Sequence, residues 1–346
     1  MDMKIEMFRS TINEFSKGKK EELIKEYSTL VEKDTLKGLQ LKNIEEIIEY
    51  IIKNDFENIL SAFRNIELEQ SYKYSALFKV ISKDTKDLLS VLRGNESHYI
   101  INDNDVVLYK SCDEPIIINF HRVGTKLQNN KAIRKERVQS ALIKLHEVDD
   151  ELFIEVSIDS IQSYYRNNEG TTFYIGVIDK IINWLNTKLL LVTQPVSLNF
   201  TINKIRKAEE SDFIVYAQLM NTNNGAKATL DSASSTTIIL PILGEIKELL
   251  ENNKNLFSNA NEGYSLLEEY ITELESESDL PWVTLKNKDK GVLIKFLFES
   301  ATSREYTLLN YYYHEKGREG MDYVTSKLLS EYNKPDLEED SEHPEQ

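Results

Sequence analysis

Over the first 67 residues, apolar side chains recur at steps of three and four. Ile5, Phe8, Ile12 and Phe15 share one helical face. Leu23, Ile24, Tyr27, Leu30 and Val31 repeat the pattern after Gly18. Leu41, Ile44, Ile47, Ile48, Ile51 and Ile52 repeat it after Gly38, and Phe56, Ile59, Leu60 and Phe63 close the series. Three or four short amphipathic helices broken by glycine predict a helical bundle or cap over residues 1–67.

The period then changes. Apolar runs of strand length stand at residues 105–109 and 115–120. Residues 141–148 and 151–158 flank Asp149-Asp150, and Leu152, Ile154, Val156 and Ile158 alternate with Phe153, Glu155 and Ser157. A period of two on either side of two turn-forming residues predicts a β-hairpin. Phe173, Val177, Ile181, Trp184 and Leu185 then mark a helix. Val196, Leu198, Phe200 and Ile202 alternate again, as do Phe213, Val215, Ala217 and Leu219, so both stretches are expected to be strands. Asn223-Asn224-Gly225 reads as a turn and residues 236–240 as one more strand.

Helices are expected to return after Pro241, one through Ile242, Ile246, Leu249 and Leu250, another through Leu266, Leu267, Tyr270, Ile271 and Leu274. Residues 282–285 and 292–298 read as a late hairpin, followed by helices near 301–314 and 321–332. Residues 333–346 are acidic, hold two prolines and lack apolar periodicity, which predicts disorder. The organisation expected is a helical region (1–67), an α+β core with an antiparallel sheet (68–240), a helical region with one hairpin (241–332) and an acidic tail.

Composition narrows the classes. Of 346 residues 40% are hydrophobic and 29% charged, a globular profile. No run of about 18 apolar residues suggests a membrane span, and the start lacks the basic and apolar regions of a signal peptide. Cys112 is the single cysteine, so an intrachain disulfide and a multi-cysteine zinc site are excluded, and a cytoplasmic setting is expected. Frequent Lys, Ile, Asn and Tyr suggest an AT-rich genome, bacterial or phage, where a role in antiviral defence would fit. No GxGxxG, GxxxxGK[ST] or GxSxG is present.

Against a net charge of −16, local basic segments stand out. Residues 122–144 hold Arg122, Lys126, Lys131, Arg134, Lys135, Arg137 and Lys144 with one acid, Glu136, a pattern that suits phosphate contacts or a solvated linker. In a helix, Lys131, Arg134 and Lys135 would share a side. Lys286, Lys288 and Lys290 crowd the late hairpin's tip, and Lys204, Arg206 and Lys207 form a third patch. Tyrosines beside basic residues, at Tyr164-Tyr165-Arg166 and Tyr311-Tyr312-Tyr313-His314, suit base stacking or simple packing.

Catalytic candidates are sparse. Arg93 and His98 match the RxxxxH spacing of HEPN-type ribonucleases, but Gly94 and Asn95 oppose the helix this needs. Asp149, Asp150 and Glu155 are carboxylates around one hairpin, as in Mg²⁺-dependent nucleases of the PD-(D/E)xK kind, but the Lys of that pattern is missing after Glu155. No two of the five histidines have i, i+3 or i+4 spacing.

The fold expected is α+β: a helical N-terminal part, a central mostly antiparallel sheet with a packed helix, and a helical C-terminal part. The function expected is a non-catalytic interaction module of a larger assembly. It would have a protein partner or self-associate, and meet nucleic acid through the 122–137 and 286–290 cations. The alternatives are a Mg²⁺-dependent phosphodiesterase or nuclease, and a self-associating adaptor with no nucleic-acid role. No cofactor is expected apart from that Mg²⁺, and no membrane contact.

Overall fold

The computed structural model describes residues 3–32, 43–81, 115–166, 169–188, 190–207, 211–221, 227–231, 246, 249–277, 279–312 and 317–334. The expected α+β class is present. Four helices open the chain: α1 (Met3–Asn13), α2 (Lys17–Leu30), α3 (Ile44–Asn54) and α4 (Phe56–Glu69). Gly18 is not a break. It lies in the first turn of α2, whose start is set by Ser16, the side-chain oxygen accepting from Lys19 N at 3.3 Å. Asn43 caps α3 by accepting from Glu46 N at 2.9 Å, and its amide donates back to Glu46 Oε1 at 2.8 Å.

Ten strands follow among the described residues: β1 (Tyr74–Val80), β2 (Ile116–Gln128), β3 (Lys131–Val148), β4 (Glu151–Ile158), β5 (Thr193–Pro195), β6 (Phe213–Asn221), β7 (Lys227–Asp231), β8 (Asp279–Asn287), β9 (Leu293–Leu297) and β10 (Leu308–Tyr312). They make one sheet of order β2-β3-β4-β1-β10-β9-β8-β6-β7, with β5 also on β1. Every pairing is antiparallel. The sheet draws strands from both sides of residue 240.

Strand β1 is the junction. One edge pairs with β4 from Tyr74 to Lys79. The other edge is shared: Tyr74 and Ser75 face Asn310 and Leu309, while Phe78, Lys79 and Val80 face β5. Residues 74–195 thus form one run of sheet and residues 213–312 another, joined along that short stretch and by Tyr311 N donating to Lys73 O at 2.9 Å.

Helices cover both faces. On one, Ile154, Val156, Ile158, Ile118 and Phe120 pack under α5 (Thr171–Lys188) through Tyr174, Ile178, Ile181 and Leu185. On the other, Leu77, Leu142, Phe153, Leu285, Ile294, Phe296 and Tyr311 lie under α1–α4, α6 (Asn199–Lys207) and the last helix (Glu319–Tyr332). A small third cluster joins Leu250 to Tyr264 and Ile271 of α7 (Asn261–Glu277). Leu249 from one expected apolar face and Leu266, Leu267 and Tyr270 from the other are exposed there, as is Leu256.

The Asp149-Asp150 hairpin forms as expected. Val148 pairs with Glu151, and both aspartates adopt positive φ, 52° and 62°, the conformation of the two-residue turn that matches strand twist. The hairpin around residues 288–291 also forms.

Three expectations are corrected. The strand expected over 196–202 is largely helix: Leu198, Ile202 and Ile205 are buried at helical spacing while Phe200 is exposed. The helix expected over 301–314 reduces to α8 (Glu299–Thr302), ended by Ser303 at φ 55°, and is followed by β10. Leu308 faces one core and Leu309 and Tyr311 the other, so burial on both sides erases the alternation that marks a strand. The basic segment is neither helix nor linker but a long hairpin. Strand β1 is buried on both faces, so its residues carry no alternation to announce it. The expected strands at 105–109 and 236–240, the Asn223-Asn224-Gly225 turn, Arg93, His98, Cys112, Tyr313, His314 and residues 335–346 lie outside the described residues. The final helix is α9 (Glu319–Tyr332), close to its expected bounds.

Candidate functional site

The outer part of the basic segment, residues 125–134, is exposed, whereas residues 138–144 are buried. Strands β2 and β3 pair from Ile116↔Ile143 out to Gln128↔Lys131. Strand β4 accompanies β3 only from Ala141 to Val148. From Asn119↔Ser140 outward the hairpin is therefore a two-stranded ribbon, roughly 30 Å long at the usual strand rise. Its turn is Asn129-Asn130, both at positive φ (50° and 57°), a conformation Asn tolerates better than most residues.

The ribbon is anchored at its base. Val138 N donates to Thr11 Oγ1 at 2.9 Å, and the Ser10 hydroxyl donates to Glu136 O. Gly124 lies against the backbone of Tyr164, where a Cβ would collide with the Tyr164 carbonyl. Tyr164 is held in turn by its hydroxyl donating to Glu14 Oε2 at 2.6 Å. Burial and that bond push the Tyr164 hydroxyl up to about 12. Tyr165 is buried, so this tyrosine pair buttresses the ribbon.

Register separates the ribbon's faces. Arg122, Lys126, Lys131, Lys135 and Arg137 fall on one with Gly124; Val123, Thr125, Leu127, Ala132, Arg134 and Glu136 fall on the other. Arg134 thus faces away from Lys131 and Lys135. Near the base the cations are engaged. Arg122 donates to Gln139 Oε1 at 2.9 Å and lies over the rings of Phe120 and Phe173, Lys135 pairs with Glu14 at 3.2 Å, and Arg137 donates to Gln162 Oε1 at 3.3 Å. Toward the tip Lys126, Lys131 and Arg134 are exposed, Arg134 paired with Glu136 at 2.7 Å.

The β8–β9 turn stands at the same end of the sheet, because each intervening strand reverses direction. Five strand spacings separate the two hairpins, on the order of 24 Å. Lys286 is exposed. Lys288 donates to Ser211 O at 2.6 Å and Lys290 pairs with Glu319 at 3.2 Å. The third patch lies on α6, where Lys204 donates to Lys334 O at 3.3 Å and Arg206 to Asn203 Oδ1 at 3.1 Å. Tyr311 is buried and Tyr312 stacks under Lys73.

The acidic hairpin does not gather its carboxylates. Asp149 and Asp150 are the exposed turn. Glu155 is about 17 Å further along the strand by its rise, fully buried, and turned toward α9. There it meets Lys144, which the sequence groups with the surface cations. Lys144 Nζ lies 2.7 Å from Glu155 Oε2 and 2.5 Å from Asp322 Oδ1, and His146 Nε2 is 2.9 Å from Glu155 Oε2. Arg318 Nε continues the chain to Asp322 Oδ2 at 3.1 Å. Burial alone would raise the Glu155 carboxyl, but Lys144 and His146 hold it well below the carboxylate range. Burial opposes the Lys144 charge, and Glu155 and Asp322 outweigh it and raise the ammonium above its ordinary value.

The sequence carried a signal for this pair. A two-residue turn at 149–150 sets Val148 opposite Glu151 and so Lys144 opposite Glu155. Asp322 had no such signal. Among the described residues no group of three or more His, Cys, Asp or Glu is arranged to hold a metal, and no helix is long and apolar enough to cross a membrane. No family model, curated protein or solved structure matches this chain.

Proposed function

We propose that the protein is a non-catalytic binding module of a larger assembly that contacts nucleic-acid phosphates through the β2–β3 ribbon. The observation behind this reading is the ribbon's outer end. Lys126, Lys131 and Arg134 stand exposed on an element projecting past its neighbours, in a chain whose net charge is −16. An acidic body repels a polyanion, so contact is confined to a local cationic projection. Lys286, exposed at the same end of the sheet, extends that edge.

Changing Lys126, Lys131 and Arg134 together to Ala removes cations that make few internal contacts. Affinity for labelled DNA or RNA is expected to fall, and the slope of log K against log salt to flatten by about two to three. Unchanged affinity and slope would remove the ribbon from the account. Absence of binding by the unmodified protein would direct attention to a protein partner at the exposed side chains of Leu266, Leu267 and Tyr270.

A further inference from the structure

We propose that the ribbon tip is a wedge for duplex DNA, with Leu127 entering between base steps while Lys126, Lys131 and Arg134 hold the flanking phosphates, so that binding bends the duplex. The inference rests on the nucleic-acid reading above and adds the form of nucleic acid and the distortion. Leu127 is 77% exposed, one of the most exposed large apolar side chains among the described residues. It stands two residues before the turn and opposite Ala132, a small side chain that leaves it prominent. Val123, two cross-strand pairs back on the same face, is also exposed. Lys126 and Lys131 lie on the opposite face and Arg134 on the Leu127 face, so cations flank the apolar tip on both sides.

This chemistry discriminates between partners. Proteins that hold single strands stack bases on aromatic rings, and no aromatic residue stands from Val123 to Arg134. An aliphatic tip beside cations is instead the means by which minor-groove proteins unstack a base step and kink the helix, the unstacking being offset by added backbone contact. A two-residue Asn turn keeps the tip narrow. The Gly124–Tyr164 contact and the Thr11 bond fix the base from which it projects.

The test uses the full chain and a duplex of about 30 base pairs carrying a donor and an acceptor dye at its ends. The unmodified protein is expected to bind in a salt-dependent way and to raise energy transfer. Leu127→Ala, at a solvent-exposed position, is expected to leave the melting temperature unchanged and reduce affinity less than tenfold while abolishing the rise in transfer. The triple Lys126, Lys131 and Arg134 variant is expected to lose affinity. Binding without a rise in transfer, or an undiminished rise with Leu127→Ala, overturns the wedge and leaves the phosphate reading standing. Equal or tighter binding to the single strand overturns it as well. No binding to any nucleic acid, or capture by phosphatidylserine vesicles alone, overturns both.

Discussion

At the residue scale the most consequential group is the buried pair Lys144 and Glu155 with the part-exposed Asp322 beside it, a trio joined through the Lys144 ammonium. Removing one member of a buried ion pair strands a charge and costs about 3–5 kcal/mol, whereas replacing both with apolar groups is often close to neutral. Lys144→Met, which leaves the buried Glu155 with His146 alone, is expected to be strongly destabilising, Glu155→Gln less so because Lys144 keeps Asp322, and the double variant well short of their sum. Urea unfolding of the four proteins checks this. The trio also sets a pH dependence. The Glu155 carboxyl is held below its ordinary 4.5, so its contribution is complete above that value and declines as pH falls beneath it. Lys144 is held above 10.5, so its contribution is complete below that value and is lost at more alkaline pH still. In Glu155→Gln the acid-side decline is expected to be shallower between pH 5 and pH 3.5.

Elements were legible where a turn fixed them. The Asp149-Asp150 hairpin follows from its two-residue turn and alternation, the late hairpin from two apolar runs around a polar loop, and α1–α4 from a clear helical stripe. Elements buried on both faces were not legible, since β1 and β10 carry no alternation, and neither was α6, whose residues fit both periods until tertiary burial decides. The cations illustrate the same limit. Lys135 with Glu14 and Lys144 with Asp322 are 121 and 178 residues apart, and no local pattern announces such partners. An element-scale expectation concerns Gly124. Gly124→Ala places a methyl against the Tyr164 carbonyl, and overpacking of this kind costs about 1–3 kcal/mol. Amide exchange across residues 119–138 is expected to accelerate while α5 keeps its protection. Unchanged exchange in the ribbon would show that Tyr164 is not its buttress.

For the whole molecule, α9 is the element that spans both runs of sheet. Toward residues 74–195 it offers Asp322 to Lys144, and Asn333 just beyond it donates to Val148 O at 3.1 Å. Toward the second run it offers Lys327 to Asp212, just before β6, at 2.8 Å and Tyr323 to Asp289 at 2.8 Å. Met321, Val324, Leu328 and Leu329 are buried in the core shared by both. A chain ending at Tyr312 is expected to lose its cooperative melting transition and to bind a hydrophobic dye. A sharp transition in that shortened chain would show that the two runs hold together without α9.

The order of synthesis gives that strap a further meaning. Residues 74–195 leave the ribosome well before α9 does, and at about 5–20 residues per second the interval is on the order of 7–30 s. Throughout it Phe153 lacks the Tyr332 ring that packs on it and Lys144 lacks Asp322. The first run of sheet is therefore expected to expose apolar surface during that interval, until α9 closes over Lys144 and Glu155.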